Sequence, residues 1–366
     1  MFKRSNIVLL FAAAVALSGC KSFSPADQKS HSHFTGLADF SRFTPSQNNS
    51  GQAVLLSPEI KSPIPWNELI VSWNAGAPAG TFLKIEASVV LPDHNTKFYT
   101  LGNWSPDNRN FSRTSVRGQR DVDGNVDTDI LVLNQTARAV RLRVTLGGTN
   151  GALPALRFIG VSFHNTKIPA VTRPPNRAAW GKIIPTPERS QHGYPDNKGW
   201  CSPAALSMVL ARWSGILNRP EMNLTVPEVA MAVYDDDFGS TGNWPFNTAF
   251  AGSFSGMRSY VTRFDGISEV EDWIAAGIPV ILSARWDWLL LGRPLDGDGH
   301  LIVCIGFTKN GDVVVNDPAT RLENGESVRH IYKRADVIHS WTKSHNAVYL
   351  VYPENARVPR NDFGHW

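Results

Sequence analysis

Cys201 stands directly before a run of small and apolar residues, Ser202-Pro203-Ala204-Ala205-Leu206. Far along the chain come Gly299-His300-Leu301-Ile302-Val303 and then Val315-Asn316-Asp317-Pro318. A thiol, an imidazole and a carboxylate in this order can support nucleophilic catalysis through sulfur. The chemistry makes demands. A free thiol with an ordinary pKa of about 8.5 is only slightly ionised near neutrality. It needs the positive end of a helix dipole, an imidazolium partner, or both. Singly, a cysteine before a helix reads as a small buried hydrophobe and a Gly-His pair as a turn. The three together select catalysis.

The elements that must position them are legible nearby. Pro203 suits a first helical turn, because its missing N–H would have no partner there. Ala205, Met208, Val209 and Trp213 recur on one helical face, with Ser207 and Ser214 opposite and Gly215 as a stop. Arg212 falls on the apolar side, where its stem can reach outward. Pro279 to Ala284 and His300 to Phe307 read as buried strands, and a Gly311-Asp312 turn leads to Val313-Val314-Val315-Asn316. An antiparallel pair across that turn sets His300 and Asp317 at one end of a sheet, at a separation the register decides. Asp317 can then fix the imidazole tautomer so that the other nitrogen faces Cys201. Cys304, among Val303, Ile305 and Phe307, reads as a buried hydrophobe.

These segments resemble a known group. Gln191 to Gly215, "GHLIVCIGF" and "GDVVVNDP" are similar to cysteine peptidase family 39-like domains, relatives of the double-glycine-leader (bacteriocin-processing) peptidases in the papain-like superfamily. "WCSPAALSMVLARW", "GNWPFNTAFAG" and "AAGIPVILSARW" resemble secreted members with an N-terminal β-rich extension. The likeness spans residues 186 to 352. It implies Cys201 as nucleophile, His300 as general base and then acid, Asp317 as orienter, and no cofactor or metal. It also implies an oxyanion donor upstream of the cysteine, for which Gln191 is the nearby glutamine. Gln191 departs from the family pattern, standing farther from Cys201 than is usual.

The N-terminus carries a second signal. Lys3 and Arg4 precede an apolar run from Ile7 to Ala16 that is too short to span a bilayer and ends in Leu17-Ser18-Gly19-Cys20. This ending resembles a lipobox, which implies cleavage before Cys20, acylation of its thiol, and attachment to a bacterial envelope membrane. Without Lys3 and Arg4, 34 basic residues face 32 acidic ones, a net charge of +2. No basic stripe appears, so no nucleic-acid partner is expected. Of three cysteines, Cys20 is assigned to lipid and Cys304 to the core. A Cys201–Cys304 disulfide is the alternative that would extinguish the chemistry.

The expected organisation is a signal peptide (1–19), a flexible tether (20–45), a β-sandwich (46–166), a proline-rich linker (167–187), the papain-like domain (188–355) and a tail (356–366). Strands are expected at 53–60, 68–74, 81–91, 97–103, 128–134, 138–147 and 156–163. Trp66, Trp73 and Trp104 read as core rather than as a glycan platform. Asp121 to Asp127 and Asp296 to Gly299 look calcium-like but lack the spacing and closing acid of a full loop, so they read as solvated turns. Asp298 is close enough in sequence to tune His300. Thr225-Val226-Pro227-Glu228 and Ser268-Glu269-Val270-Glu271 read as helix-opening capping boxes, the second helix closing at Gly277. Trp244 to Asn247 form a cleft wall or open a helix.

The fold class is therefore an α+β papain-like domain behind an all-β sandwich. The expected function is an exported, lipid-anchored thiol hydrolase acting on peptide or protein substrates. Two alternatives stay open. One is a lipoprotein whose sandwich binds glycan or protein beside an inactive papain-like domain. The other is a peptidoglycan amidase or transpeptidase using the same triad.

Overall fold

The computed structural model describes residues 30–46, 52–195, 197–291 and 299–366. Cys20, Asp296 and Asp298 lie outside these residues. The order of elements is β1 (Ser32–Leu37), β2 (Thr44–Ser46), β3 (Ala53–Leu56), β4 (Ile60–Gly76), β5 (Thr81–Val90), β6 (Tyr99–Trp104), β7 (Gly124–Asp127), β8 (Ile130–Gly148) and β9 (Ala155–His164) in the first half. Then follow α1 (Cys201–Leu217), α2 (Val226–Val233), α3 (Trp244–Ala251), β10 (Met257–Arg263), α4 (Ile267–Ala275), β11 (Val280–Arg285), α5 (Trp286–Leu291), β12 (Gly299–Phe307), β13 (Val313–Asn316), β14 (Arg329–Tyr332), α6 (Arg334–Thr342) and β15 (Ala347–Pro353). No described helix is long and apolar enough to cross a membrane.

The first half is β-rich. Hydrogen bonding links its nine strands into one antiparallel sheet, rather than the two separate sheets of the expected sandwich. The reason is length. β4 and β8 are long, and β8 pairs with β4 along one stretch and with β3 and β5 along another. Leu69, Val71, Trp73 and Ala75 of β4 alternate into one core with Ile159, Val161 and Phe163 of β9 and Leu142 and Val144 of β8. Trp66, Trp73 and Trp104 are all buried there, as core residues.

The opposite face of β4 and β9 is equally committed. Ile70, Phe158 and Phe34 pack into the core of the second half, where the Phe34 and Tyr260 rings stack at 4.4 Å. Ser72 Oγ accepts from Val261 N at 2.9 Å, and Asn74 both donates to Ser259 O and accepts from Ser259 N. β10 is an edge strand, and these side chains satisfy backbone groups that it would otherwise leave open.

The second half is α+β, as a papain-like domain should be: α1 packs on a six-stranded antiparallel sheet in the order β10-β15-β11-β12-β13-β14. α1 runs past Gly215 and ends at Asn218, whose positive φ of 53° supplies the left-handed cap. Trp244 opens α3, with Asn243 as its cap. The Thr225–Glu228 capping box is present on α2. α4 begins earlier than the Ser268 reading, and Glu269 reaches back to the amides of Asp265 and Gly266.

Three segments placed outside the two expected domains are docked. β1, placed in the tether, pairs with β9 along its whole length. In the proline-rich linker, Trp180 bridges to Phe307 and Ile183 to Gly306, with Ala179 and Ile184 buried. In the tail, Gly364 O accepts from Phe34 N, and Trp366 packs edge-on against Phe264 and Trp273. Local composition did not reveal these contacts, because each is made with a partner more distant in sequence than any local pattern reaches.

Candidate active site

Cys201 is the first residue of α1, and Trp200 is the cap before it. Its side chain is nearly buried, at the end of the helix where backbone N–H groups point outward. Cys201 and Cys304 are both free, so no disulfide joins them. Burial pushes the Cys304 thiol up to about 12, which suits an inert core residue.

The register that the sequence left open turns on one irregularity. Val303 faces Asn316 and Cys304 faces Val315, whereas Gly306 faces Val314 and Phe307 faces Val313. One extra residue on β12 forms a bulge between the two stretches. Continuing the first register by one step sets Ile302 opposite Asp317, and His300 shares the face of Ile302. Without the bulge, Val303 would oppose Asp317, and the carboxylate would leave the sheet on the wrong side. Gly306 is what permits this. A Cβ there would lie 2.2 Å from the Lys182 carbonyl, because the linker backbone fills the space beside the bulge.

His300 and Asp317 thus meet diagonally, with His300 Nε2 2.7 Å from Asp317 Oδ1. Cys201 lies close enough to the same imidazole to favour its protonated form. Burial works against a charged His300, but the Asp317 charge and hydrogen bond outweigh it, with Cys201 adding to them. The imidazole is therefore held above its ordinary range. Burial would raise Asp317, but the His300 charge and hydrogen bond, the Ala319 amide at 2.8 Å and the Tyr332 hydroxyl hold it below its usual value.

Tyr332 was not anticipated. It donates to Asp317 Oδ2 at 2.8 Å from β14, and its ring stacks on His330, which in turn meets Thr320 Oγ1 at 2.8 Å. β14 is short, so no periodicity marked it. The signal that could have found it is an aromatic with a polar tip, on the next strand after a carboxylate that needs a second donor.

Gln191 lies at the other side of the same turn. Its backbone N–H donates to Pro318 O at 2.8 Å, and its side-chain carbonyl oxygen is buried without a partner. The candidate residues Cys201, His300 and Asp317 are brought together, and Gln191 is fixed beside the Asp317 turn. Asp121, from the calcium-like stretch, is engaged by Lys97 and by the Asp123 and Gly124 amides.

Comparison with known families places two profiles end to end on this chain. The Peptidase C39 N-terminal domain matches residues 33–163, and the Peptidase_C39 like family matches residues 183–349. No curated protein matches the chain. Among solved structures, two of infectious bursal disease virus align, the Gt strain at 14% identity and the Gx strain at 12%. Each alignment covers 43% of this chain and 38% of the viral one, with TM-scores of 0.22 and 0.19. The chain spans well under half the length of those viral chains, and likeness at that level carries no argument.

Proposed function

The chain belongs to the C39-like cysteine peptidases, and from that premise we propose that it is a thiol hydrolase cleaving peptide or amide bonds through an acyl-enzyme. One observation carries the reading: a buried imidazole, bonded to the Asp317 carboxylate, lies near the Cys201 thiol at the start of α1.

In this reading His300 takes the Cys201 proton, and the sulfur attacks the carbonyl carbon. The Cys201 backbone N–H, at the helix start, and the Gln191 side chain hold the oxyanion. The C–N bond then breaks as His300 gives its proton to the leaving amine. Water adds to the thioester with His300 as base, and its collapse releases the acid and restores the thiol. Asp317 keeps the ring oriented and offsets its charge throughout. The proposal extends to compartment: export, with acylation of Cys20, would place the enzyme on an envelope membrane, and the β-rich half would face substrate or cell-wall glycan.

The test is a thiol probe at neutral pH on the full chain. Selective alkylation of Cys201, abolished in His300→Ala, supports the hydrolase. An unreactive Cys201 points instead to a binding protein with an inactive domain. Cleavage of a peptide library identifies a peptidase, whereas release of fragments from purified cell wall alone identifies the amidase or transpeptidase reading.

A further inference from the structure

The residues flanking the nucleophile are tied to a loop that the other half of the chain holds. Gly199, with a φ of 76°, precedes Trp200 and Cys201, and its carbonyl accepts from Thr241 Oγ1 at 2.8 Å. Thr241 belongs to the loop 234–243 between α2 and α3, and that loop is built around Asp235, which is fully buried. Asp235 Oδ1 accepts from the Phe238 and Asp237 amides, and Oδ2 accepts from Asn243 Nδ2.

What fixes the loop from outside is the β-rich half. Ser115 donates to Asp235 Oδ1 through both its amide, at 2.9 Å, and its hydroxyl. Arg113, almost wholly buried, donates from Nη2 to Met231 O at 2.6 Å and from Nε to Tyr234 O at 3.1 Å, while Nη1 holds Ser105 O. These two carbonyls end α2, so the guanidinium is a C-terminal cap supplied by another domain. At the other end of the loop, Asp129 Oδ2 accepts from Trp244 N at 2.6 Å, at the start of α3. A carboxylate from the first half therefore sits on the positive end of that helix.

We infer that Arg113, Ser115 and Asp129 are positioning residues for the active site: by clamping the loop 234–243 they set the Thr241–Gly199 contact and so the placement of Cys201. The inference rests on the thiol-hydrolase reading for its chemistry. Its geometry stands apart from that reading. None of the three touches Cys201 or His300 in the described contacts, so their influence runs through the loop. Burial brings the Arg113 guanidinium down to about 10, against the pull of Asp236, Asp107 and Asp235, in keeping with a group enclosed by the joint.

The experiment uses the full chain with Arg113→Met, Arg113→Lys and Thr241→Val, and Arg143→Ala as a control. Arg143 pairs with Glu86 inside the first half, away from the loop. Two readouts are compared: the rate of Cys201 alkylation by iodoacetamide, and amide hydrogen exchange across residues 199–203. Arg113→Met and Thr241→Val should lower the rate by about tenfold and quicken exchange at 199–203, a misplacement effect of the kind small shifts produce. Arg113→Lys should recover part of both, and the control should change neither. Unchanged alkylation and exchange in Arg113→Met and Thr241→Val, or equal losses in Arg143→Ala, would overturn the inference. If Arg113→Met does not fold, Thr241→Val decides. An unreactive wild type whose exchange at 199–203 still quickens in the variants would sink the hydrolase reading and leave the positioning intact.

Discussion

Tyr332 occupies the Asp317 oxygen that His300 leaves free, donating to Oδ2 at 2.8 Å while the imidazole holds Oδ1. The carboxylate is thereby pinned from both sides in a buried setting. A hydrogen bond to a charged group contributes about 1.5–3 kcal/mol. Tyr332→Phe should lose about that much on urea unfolding and slow Cys201 alkylation, by less than Asp317→Asn does. An unchanged unfolding midpoint would show that the carboxylate does not need its second donor.

The two described thiols should behave oppositely. Cys304 is enclosed and pushed up to about 12, whereas Cys201 lies at a helix start beside His300. Peptide mapping after brief alkylation at neutral pH should place an adduct on Cys201 and none on Cys304. That adduct should survive Cys304→Ser and vanish in Cys201→Ala. Modification of Cys304 in the folded protein would contradict the placement of β12.

The imidazole–carboxylate pair also sets a pH window for stability. His300 is raised in the fold, so its contribution is whole below its ordinary value of 6.5 and fades as pH rises through the folded one. Asp317 is lowered, so its contribution is whole above 3.8 and is lost as pH falls through the folded value. The gap in unfolding free energy between wild type and a His300→Gln/Asp317→Asn double variant should be widest between pH 3.8 and 6.5. It should narrow on either side. A gap independent of pH would mean the pair is not charged in the fold.

Gly306→Ala tests the bulge. The added methyl meets the Lys182 carbonyl at 2.2 Å, a backbone atom that cannot rotate away. Overpacking of this kind costs about 1–3 kcal/mol. The linker segment should detach or the β12–β13 register should shift, and either moves Asp317 away from His300. The expected readout is a lowered melting temperature together with a loss of alkylation larger than stability alone explains. A variant with wild-type melting and wild-type alkylation would refute this account of the register.

His365 should prove structural. Its Nδ1 lies 2.6 Å from Glu269 Oε1 and its Nε2 2.6 Å from Ser30 Oγ, with Arg173 on the neighbouring Asp265. Burial lowers the His365 value, but Glu269 and Asp265 together raise it. His365→Ala leaves Glu269 enclosed without that partner, which costs about 3–5 kcal/mol. Chemical denaturation should show a loss in that range, with Cys201 alkylation near wild type at temperatures where the variant stays folded. Wild-type stability in this variant would mean the tail contact is dispensable.

How much of this was legible follows from where the information lies. Cys201, His300 and Asp317 could be read because each sits at the boundary of an element with a strong local pattern: a helix start, a strand start and a strand end. Their approach could not be read, because it depends on a bulge that no alternation of apolar residues records. Tyr332 was missed because β14 is short and partly exposed. The tether reading of β1 and the separate tail fail for the opposite reason. Ser30, Phe34, Gly364 and His365 look unremarkable one at a time and gain meaning only from partners far along the chain. The strand texture of the first half was plain, but the length of β4 and β8, which makes one sheet of nine strands, was not.

The face of β4 and β9 that receives Tyr260, Ser259 and Val261 has a bearing on how such chains can be recombined. A second half excised near residue 183 would carry an aromatic side chain stripped of Phe34 and Phe158, and a strand margin stripped of Ser72 and Asn74. Such a fragment would be inclined to self-associate through that margin. Grafting a different β-rich module in front of it should succeed only where the newcomer brings an equivalent asparagine, serine and pair of rings, so the two halves would be exchanged between relatives as a matched set.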